Sequence, residues 1–257
     1  MVHLPDIILV QEPYINEGKI TGIPSSWNQW ISNNQKADLI ALPSCRSPVF
    51  LHSTDNSTAI KMQMDKGPLT IISSYSSPHS NISETLQDLD VLLKSIGTEM
   101  ALIGEDLNAH SKIWGYRDEN ARGFLVEDLI AANHLFLLNN RNSPPTFETN
   151  NGKGWPDLSI VKEAYLASIC NWEVLEDYSL SDQKYIKIHI SSQRKGSSYY
   201  RFKTAYGGHS KMIQQLSTKI QELLNSIASF QNHEVLSAAS HLIYNLKSSR
   251  HAKQPTR

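Results

Sequence analysis

Between positions 6 and 190, short apolar runs rich in β-branched residues recur, separated by polar and turn-forming residues. DIILV at 6–10, ADLIAL at 37–42, TAIKMQM at 58–64, LTIISSY at 69–75 and MALIGED at 100–106 have the length and composition of strands. Runs at 135–138 (LFLL), 145–147 (PTF), 157–161 (DLSIV), 169–176 (ICNWEVLE) and 184–190 (KYIKIHI) extend the series. In the last, Ile186, Ile188 and Ile190 alternate with Lys187 and His189, the pattern of a strand with one wet face. Two segments switch to helical spacing. Asn81 and Glu84 fit a capping box ahead of Leu86, Leu89, Leu93 and Ile96, and residues 120–134 put Leu125, Leu129 and Ala132 on an inward side. Strands interspersed with only a few helices imply an α/β (α+β) architecture of mixed sheets, stacked with helices outside, and not a regular alternation of strand and helix. After Ser191 the chain turns polar and basic (SSQRKGSSYYR), and helical spacing resumes at Ile213, Leu216, Ile220, Leu223 and Leu224. The expected organisation is a domain over 1–192, a basic linker over 193–204 and a helical extension over 205–257.

An apolar content of 40% is enough for a sizeable core. No stretch approaches the roughly 18 uninterrupted apolar residues of a membrane span, and the start MVHLPDIILVQEPY lacks the charged region of a signal peptide. An intracellular chain, nuclear or cytoplasmic and with no membrane partner, is therefore expected, and Cys45 and Cys170 are expected to be buried, inert thiols. Oligomeric state is left open. The net charge of −1 conceals a split. Residues 1–182 hold 12 of the 24 Lys and Arg but 23 of the 25 Asp and Glu, so the remainder is strongly basic. An acidic body can supply carboxylates to a cation while a basic tail tracks phosphates; an ordinary acidic domain with a solvated tail fits the same numbers.

The most informative segment is LIGEDLNAHSKIWG at 102–115, where an apolar strand runs directly into Asp106, Leu107 and Asn108. Period two puts Asp106 and Asn108 on one side, where a carboxylate and a carboxamide could orient or deprotonate a water beside a phosphate. Strand-to-turn junctions also recruit Asp and Asn for their own sake. Other polar residues occupy comparable strand ends: Glu12 after DIILVQ, Tyr75 closing LTIISSY, Asp157 opening DLSIV, and Asp182 in the turn before KYIKIHI. Converging carboxylates without a Cys or His cluster suit a hard cation such as Mg²⁺ or Mn²⁺, not zinc. His110 is either a stand-in proton carrier or a loop histidine. Trp114, Trp155 and Trp172 are either stacking platforms for bases or core.

Taken in order, QEPY at 11–14, SSYSSP at 73–78, GEDLNAHSKIWG at 104–115, the N-x-R-G of Asn120 to Gly123, PPTF at 144–147, PDLSI at 156–160, and the W-E-V and L-S-D between Trp172 and Asp182 resemble the exonuclease–endonuclease–phosphatase superfamily. Within it they resemble the endonucleases of arthropod-type non-LTR retrotransposons, over roughly 6–190. The resemblance implies a four-layer sandwich, two mixed β-sheets packed face to face with helices outside. It also implies divalent-metal-dependent hydrolysis of a DNA phosphodiester, nicking one strand at a target. Carried over by position, Glu12 is the metal-ligating glutamate and Tyr75 contacts the scissile phosphate. Asp106 activates the attacking water, and Asn108 holds substrate and water. Asp157 orients the catalytic histidine, and Asp182 is the acid near the metal.

Three departures qualify that expectation. Gln183 stands where the family has the histidine of S-D-H; glutamine donates a hydrogen bond but cannot titrate, and losing such a group costs about 10² to 10⁴ in rate. The chain starts at what resembles the family's second strand, so the first strand and its asparagine near the metal are expected to be missing, exposing a sheet neighbour. Glu105 replaces a glycine of the family's G-G-D-F-N. Residues 205–257 resemble the helical connector that precedes a reverse transcriptase, and the expectation is a fragment or domesticated remnant without that enzyme. The readings are thus an impaired endonuclease, a non-catalytic nucleic-acid-binding pseudoenzyme, and, less well matched, a phosphatase acting on a small phosphoester.

Overall fold

The computed structural model describes residues 5–45, 48–150 and 152–191, together with positions 213, 214, 217 and 220. The chain divides into two units, Met1–Arg194 and Lys195–Arg257. The expected linker and nearly all of the helical extension lie outside the described residues; the four described positions there, Ile213, Gln214, Ser217 and Ile220, are helical. No helix among the described residues is long and apolar enough to cross a membrane.

The first unit begins with β1 (Ile7–Gln11), the short β2 (Ile15–Asn16) and β3 (Lys19–Ile20), β4 (Asn28–Ile31) and β5 (Ala37–Ala41). Then come β6 (Val49–Ser53), β7 (Ser57–Met64), β8 (Gly67–Tyr75), α1 (Ile82–Ser95) and β9 (Met100–Asp106). A 3₁₀ turn at Lys112–Trp114 leads to α2 (Ala121–Ala132), β10 (Phe136–Leu137), β11 (Phe147–Thr149), β12 (Gly152–Gly154) and β13 (Asp157–Lys162). The unit closes with α3 (Ala164–Ile169), β14 (Cys170–Val174) and β15 (Ile186–Ile190).

Six strands form a mixed sheet in the order β10-β13-β9-β8-β7-β6. Only β8 and β9 are parallel, because α1 carries the chain from the end of one back to the start of the other; the remaining neighbours are antiparallel. The second layer is two separate antiparallel ladders, β1-β5-β4 and β14-β15. Between the layers, Leu69, Ile71, Met100, Leu102 and Val161 of the large sheet meet Ile7, Leu9, Leu39, Ile188 and Ile190. On the other face, Ile72, Ile103 and Ile160 pack against α1 and α2. All five residues of β5 are buried, whereas β1, paired only with β5 among the described residues, is half-buried throughout.

Pattern and structure agree closely at α1. Leu86, Leu89, Leu93 and Ile96 are all buried, and the Asn81 side chain caps the helix, accepting from the Ser83 N–H and not from Glu84 as a strict capping box would have it. At α2 the expected inward face is rotated. Gly123, Val126 and Leu129 are buried, while Leu125 is 40% exposed and Ala132 is exposed. This helix is apolar on more than one side, so periodicity alone does not choose its face. Contact with the loop after β9 chooses it, and Gly123 is the residue that lets the loop approach. A Cβ there would lie 1.9 Å from the His110 carbonyl oxygen. Cys45 and Cys170 are free and half-buried, not fully buried, and burial pushes both thiols up to about 11.

Candidate functional site

Sheet register brings three of the sequence-identified residues together. Tyr75 ends β8 beside Asp106, which ends β9, and Asp106 pairs directly with Asp157, the first residue of β13. Parallel β8 and β9 finish at the same edge where antiparallel β13 begins, so three side chains from distant parts of the chain share one rim. All three are buried: Tyr75 at 5%, Asp106 at 4% and Asp157 at 8% relative exposure.

Glu12 follows β1, which lies over β8 and β9; Gln11 ties the two layers by donating to Ser73 Oγ at 3.1 Å and to the Gly104 carbonyl at 3.3 Å. Glu12 lies close enough to the Tyr75 hydroxyl to act on its titration, and it pairs with Lys36 at 3.3 Å. Close approach of β1 also accounts for Gly104, where a Cβ would sit 2.6 Å from Leu9 Cδ2. Glu12 and Asn108 both hold left-handed backbone conformations, φ 49° and 48°. Such geometry in non-glycine residues costs about 1–3 kcal/mol and persists where surrounding contacts impose it. Asn108 therefore does not continue the strand, and period two does not bring it beside Asp106. A turn does, with the Asn108 N–H donating to Asp106 Oδ1 at 3.0 Å and its amide donating to the Ser76 carbonyl at 3.2 Å.

Gln183 reaches Asp106 from 77 residues away, its Nε2 donating to Oδ2 at 3.1 Å. The loop carrying it is laced to β11. Glu148 N–H donates to the Asp182 carbonyl at 2.9 Å, and Lys184 N–H to the Thr146 carbonyl at 2.7 Å. Asp182 itself is exposed and lines an open recess of about 410 Å³ with Glu148, Thr149 and Asn150. Among the described residues no three His, Cys, Asp or Glu side chains are gathered as a group that could hold a metal.

The electrostatics follow from burial and crowding of like charge. Burial raises Asp106, opposed by the hydrogen bonds from Asn108 and Gln183, while the Glu12 charge raises it further and the Arg122 guanidinium lowers it. Asp157 is pushed up to about 7, first by burial and then by Asp106. Burial and the nearby Glu12 carboxylate drive the Tyr75 phenol well above its usual range. Carboxylates are the donor type a hard divalent cation takes, but among the described residues these are not gathered as a ligand group.

Sequence reasoning missed two neighbours of the site. Tyr116 feels Asp106 and Asp157, although burial is the main reason its phenol is pushed up to about 12; no pattern in the sequence marks it. Arg122 sits inside the N-x-R-G motif, which was visible as a motif but carried no role. His110 does not face Asp106. Its ring stacks on Tyr116 with centroids 3.9 Å apart, its charge coupling is to Asp118, and burial lowers its pKa. The tryptophans have structural partners: Trp114 Nε1 donates to the Ala109 carbonyl, Trp155 Nε1 to the Ser143 carbonyl and Trp172 Nε1 to Ser159 Oγ.

Residues 69–187 match the sequence family described as Endonuclease-reverse transcriptase. The retrovirus-related Pol polyprotein from type-1 retrotransposable element R1 of Bradysia coprophila is 22% identical over 196 residues, covering 68% of this chain. This chain spans only about a fifth, 19%, of that relative's length. Among solved structures, the endonuclease domain of TRAS1, a telomere-specific non-LTR retrotransposon, superposes with a TM-score of 0.66 at 23% identity, covering 74% of this chain and 87% of that one. The AP endonuclease LMAP from Leishmania major superposes at 0.52 with 10% identity, covering 72% and 78%.

Proposed function

We propose that this chain, which resembles the non-LTR retrotransposon endonucleases of the exonuclease–endonuclease–phosphatase superfamily, hydrolyses a DNA phosphodiester bond at the rim formed by β8, β9 and β13. The observation carrying this reading is the convergence of Tyr75, Asp106 and Asp157 through sheet register, with Gln183 and Asn108 hydrogen-bonded to Asp106. Asp106 is the group that takes a proton from the attacking water. Asn108 orients that water and the phosphate, and the Tyr75 hydroxyl lies beside the scissile phosphate. Glu12, beside Tyr75, is the carboxylate that would hold Mg²⁺ or Mn²⁺ at the rim, with Asp182 as a ligand only if its exposed loop turns toward Glu12; the ion would supply neutralisation of phosphate charge and stabilisation of the leaving oxygen. Gln183 holds Asp106 in orientation but cannot pass a proton, so turnover is slow. The same residue supports a second reading, a domain that binds DNA without cutting it.

Nicking of supercoiled plasmid by the purified chain, with Mg²⁺ or Mn²⁺, tests both. The expected result is weak metal-dependent nicking, raised about 10²-fold by Gln183→His and abolished by Asp106→Ala. Folded protein that binds plasmid while no variant nicks it would overturn the hydrolytic reading and establish the binding one.

A further inference from the structure

We infer that Arg122 is a positioning residue for this site: its guanidinium clasps the loop after β8 to the loop after β9 and so sets Asn108 and Asp106 relative to each other. The inference rests on the hydrolytic reading for its consequence, though not for its geometry. Arg122 is the second residue of α2 and is half-buried. Its Nε and Nη2 donate to the Leu107 carbonyl at 3.0 and 2.7 Å. Nη2 also reaches the Ser76 carbonyl at 3.1 Å and Ser76 Oγ at 2.9 Å, and Nη1 donates to the Ser80 carbonyl at 2.9 Å.

Ser76 is the point where the loops meet. Its N–H donates to the Asp106 carbonyl at 2.9 Å, and its own carbonyl accepts from both Arg122 and the Asn108 amide. Every Arg122 acceptor is an uncharged carbonyl or hydroxyl, so no ion pair cancels the guanidinium charge through these contacts, and its field reaches Asp106 and Tyr75. With all three nitrogens engaged, Arg122 acts through its neighbours and not on substrate. Only a planar fork of five N–H donors spans these acceptors at once; a lysine ammonium supplies three donors from one point.

The rest of the motif anchors the clasp. The Asn120 side chain accepts from the Gly123 N–H at 2.8 Å, capping α2, and from the His110 N–H at 3.1 Å. Gly123 leaves room for the His110 carbonyl. Asn120, Arg122 and Gly123 therefore bind one helix start to the backbone from Leu107 to His110, which explains why these residue types sit at this spacing.

The test compares the wild-type chain with Arg122→Ala and Arg122→Lys by amide hydrogen exchange and by nicking kinetics. In Arg122→Ala, exchange at Ser76 and Asn108 is expected to rise at least about 10-fold while β7 peptides are unchanged. A displacement of this kind is expected to lower kcat by about 10² with KM within about twofold. Millimolar guanidinium, too dilute to denature, should restore part of that kcat, and Arg122→Lys should not. Unchanged exchange, or full recovery in Arg122→Lys, overturns the clasp. If Arg122→Ala does not fold, the same exchange measurement on Arg122→Lys decides. If neither the wild type nor Gln183→His nicks, the hydrolytic reading fails while exchange still judges the clasp on its own.

Discussion

Glu105 and Asp106 are neighbours on β9, yet the strand's alternation sends them to opposite faces of the same sheet. Asp106 faces the second layer at the rim, where Asn108 and Gln183 donate to its two oxygens and Arg122 lies near. Glu105 faces the helix side. It is 2% exposed, both its oxygens are buried without a hydrogen-bond partner, and it sits in register with Ser74 and Leu158. Burial, with the Asp106 charge adding to it, pushes its carboxyl up to about 8. Glu105 is thus a neutral acid at pH 7, and the site carries one fewer negative charge than its sequence suggests. Burial raises both carboxyls, but only at Asp106 do hydrogen-bond donors oppose the rise.

That contrast has its largest consequence in stability against pH. Glu105 titrates at about 8 folded against a usual 4.5, so the folded protein holds the proton more tightly. Its favourable contribution is complete below about pH 4.5 and is lost as pH rises to about 8, at up to about 1.4 kcal/mol per pH unit. The raised Asp157 and Asp106 act with the same sign. Urea unfolding should therefore show stability declining between about pH 5 and 8. Glu105→Gln should flatten that slope and stabilise the protein at pH 8 by about 2 kcal/mol or more. An unaltered slope would mean that Glu105 is ionised and finds a partner.

The next effect tests whether the site side depends on support from the helix side. Gly123→Ala drives a Cβ into the His110 carbonyl, a backbone atom that cannot swing away. Thermal or urea unfolding should register a loss of about 2 kcal/mol. A neutral result would show that α2 can part from the loop after β9 without cost.

The smallest effect belongs to the helix side alone. Lys162 Nζ donates to the Leu93 and Gly97 carbonyls at the C-terminal end of α1. Lys162→Met should cost about 1 kcal/mol, measured by urea unfolding, and leave metal-dependent nicking unchanged.

Much of this was legible along the chain because it is local. The apolar run at 100–106 coincides residue for residue with β9, and Asn81 marks the start of α1 because a capping side chain acts within three positions of itself. Asp106 was visible as an acid at a strand end, as were Glu12, Tyr75 and Asp157. Leu125 departs from the inward face its spacing predicts because α2 has apolar residues on more than one side, and Asn108 departs from the strand because a left-handed turn interrupts the period.

What the one-dimensional pattern settles, then, is where backbone hydrogen bonding can run uninterrupted and which side chains must leave water. Those are short-range properties of residue type and spacing. Folding in three dimensions decided that Tyr75 and Asp157 flank Asp106, that Gln183 crosses 77 residues to reach it, and that Arg122 reaches back 46 residues to Ser76. It also decided that one of two adjacent carboxyls stays neutral. Register, layer packing and desolvation arise only when distant segments exclude water together, and no spacing along the chain encodes them.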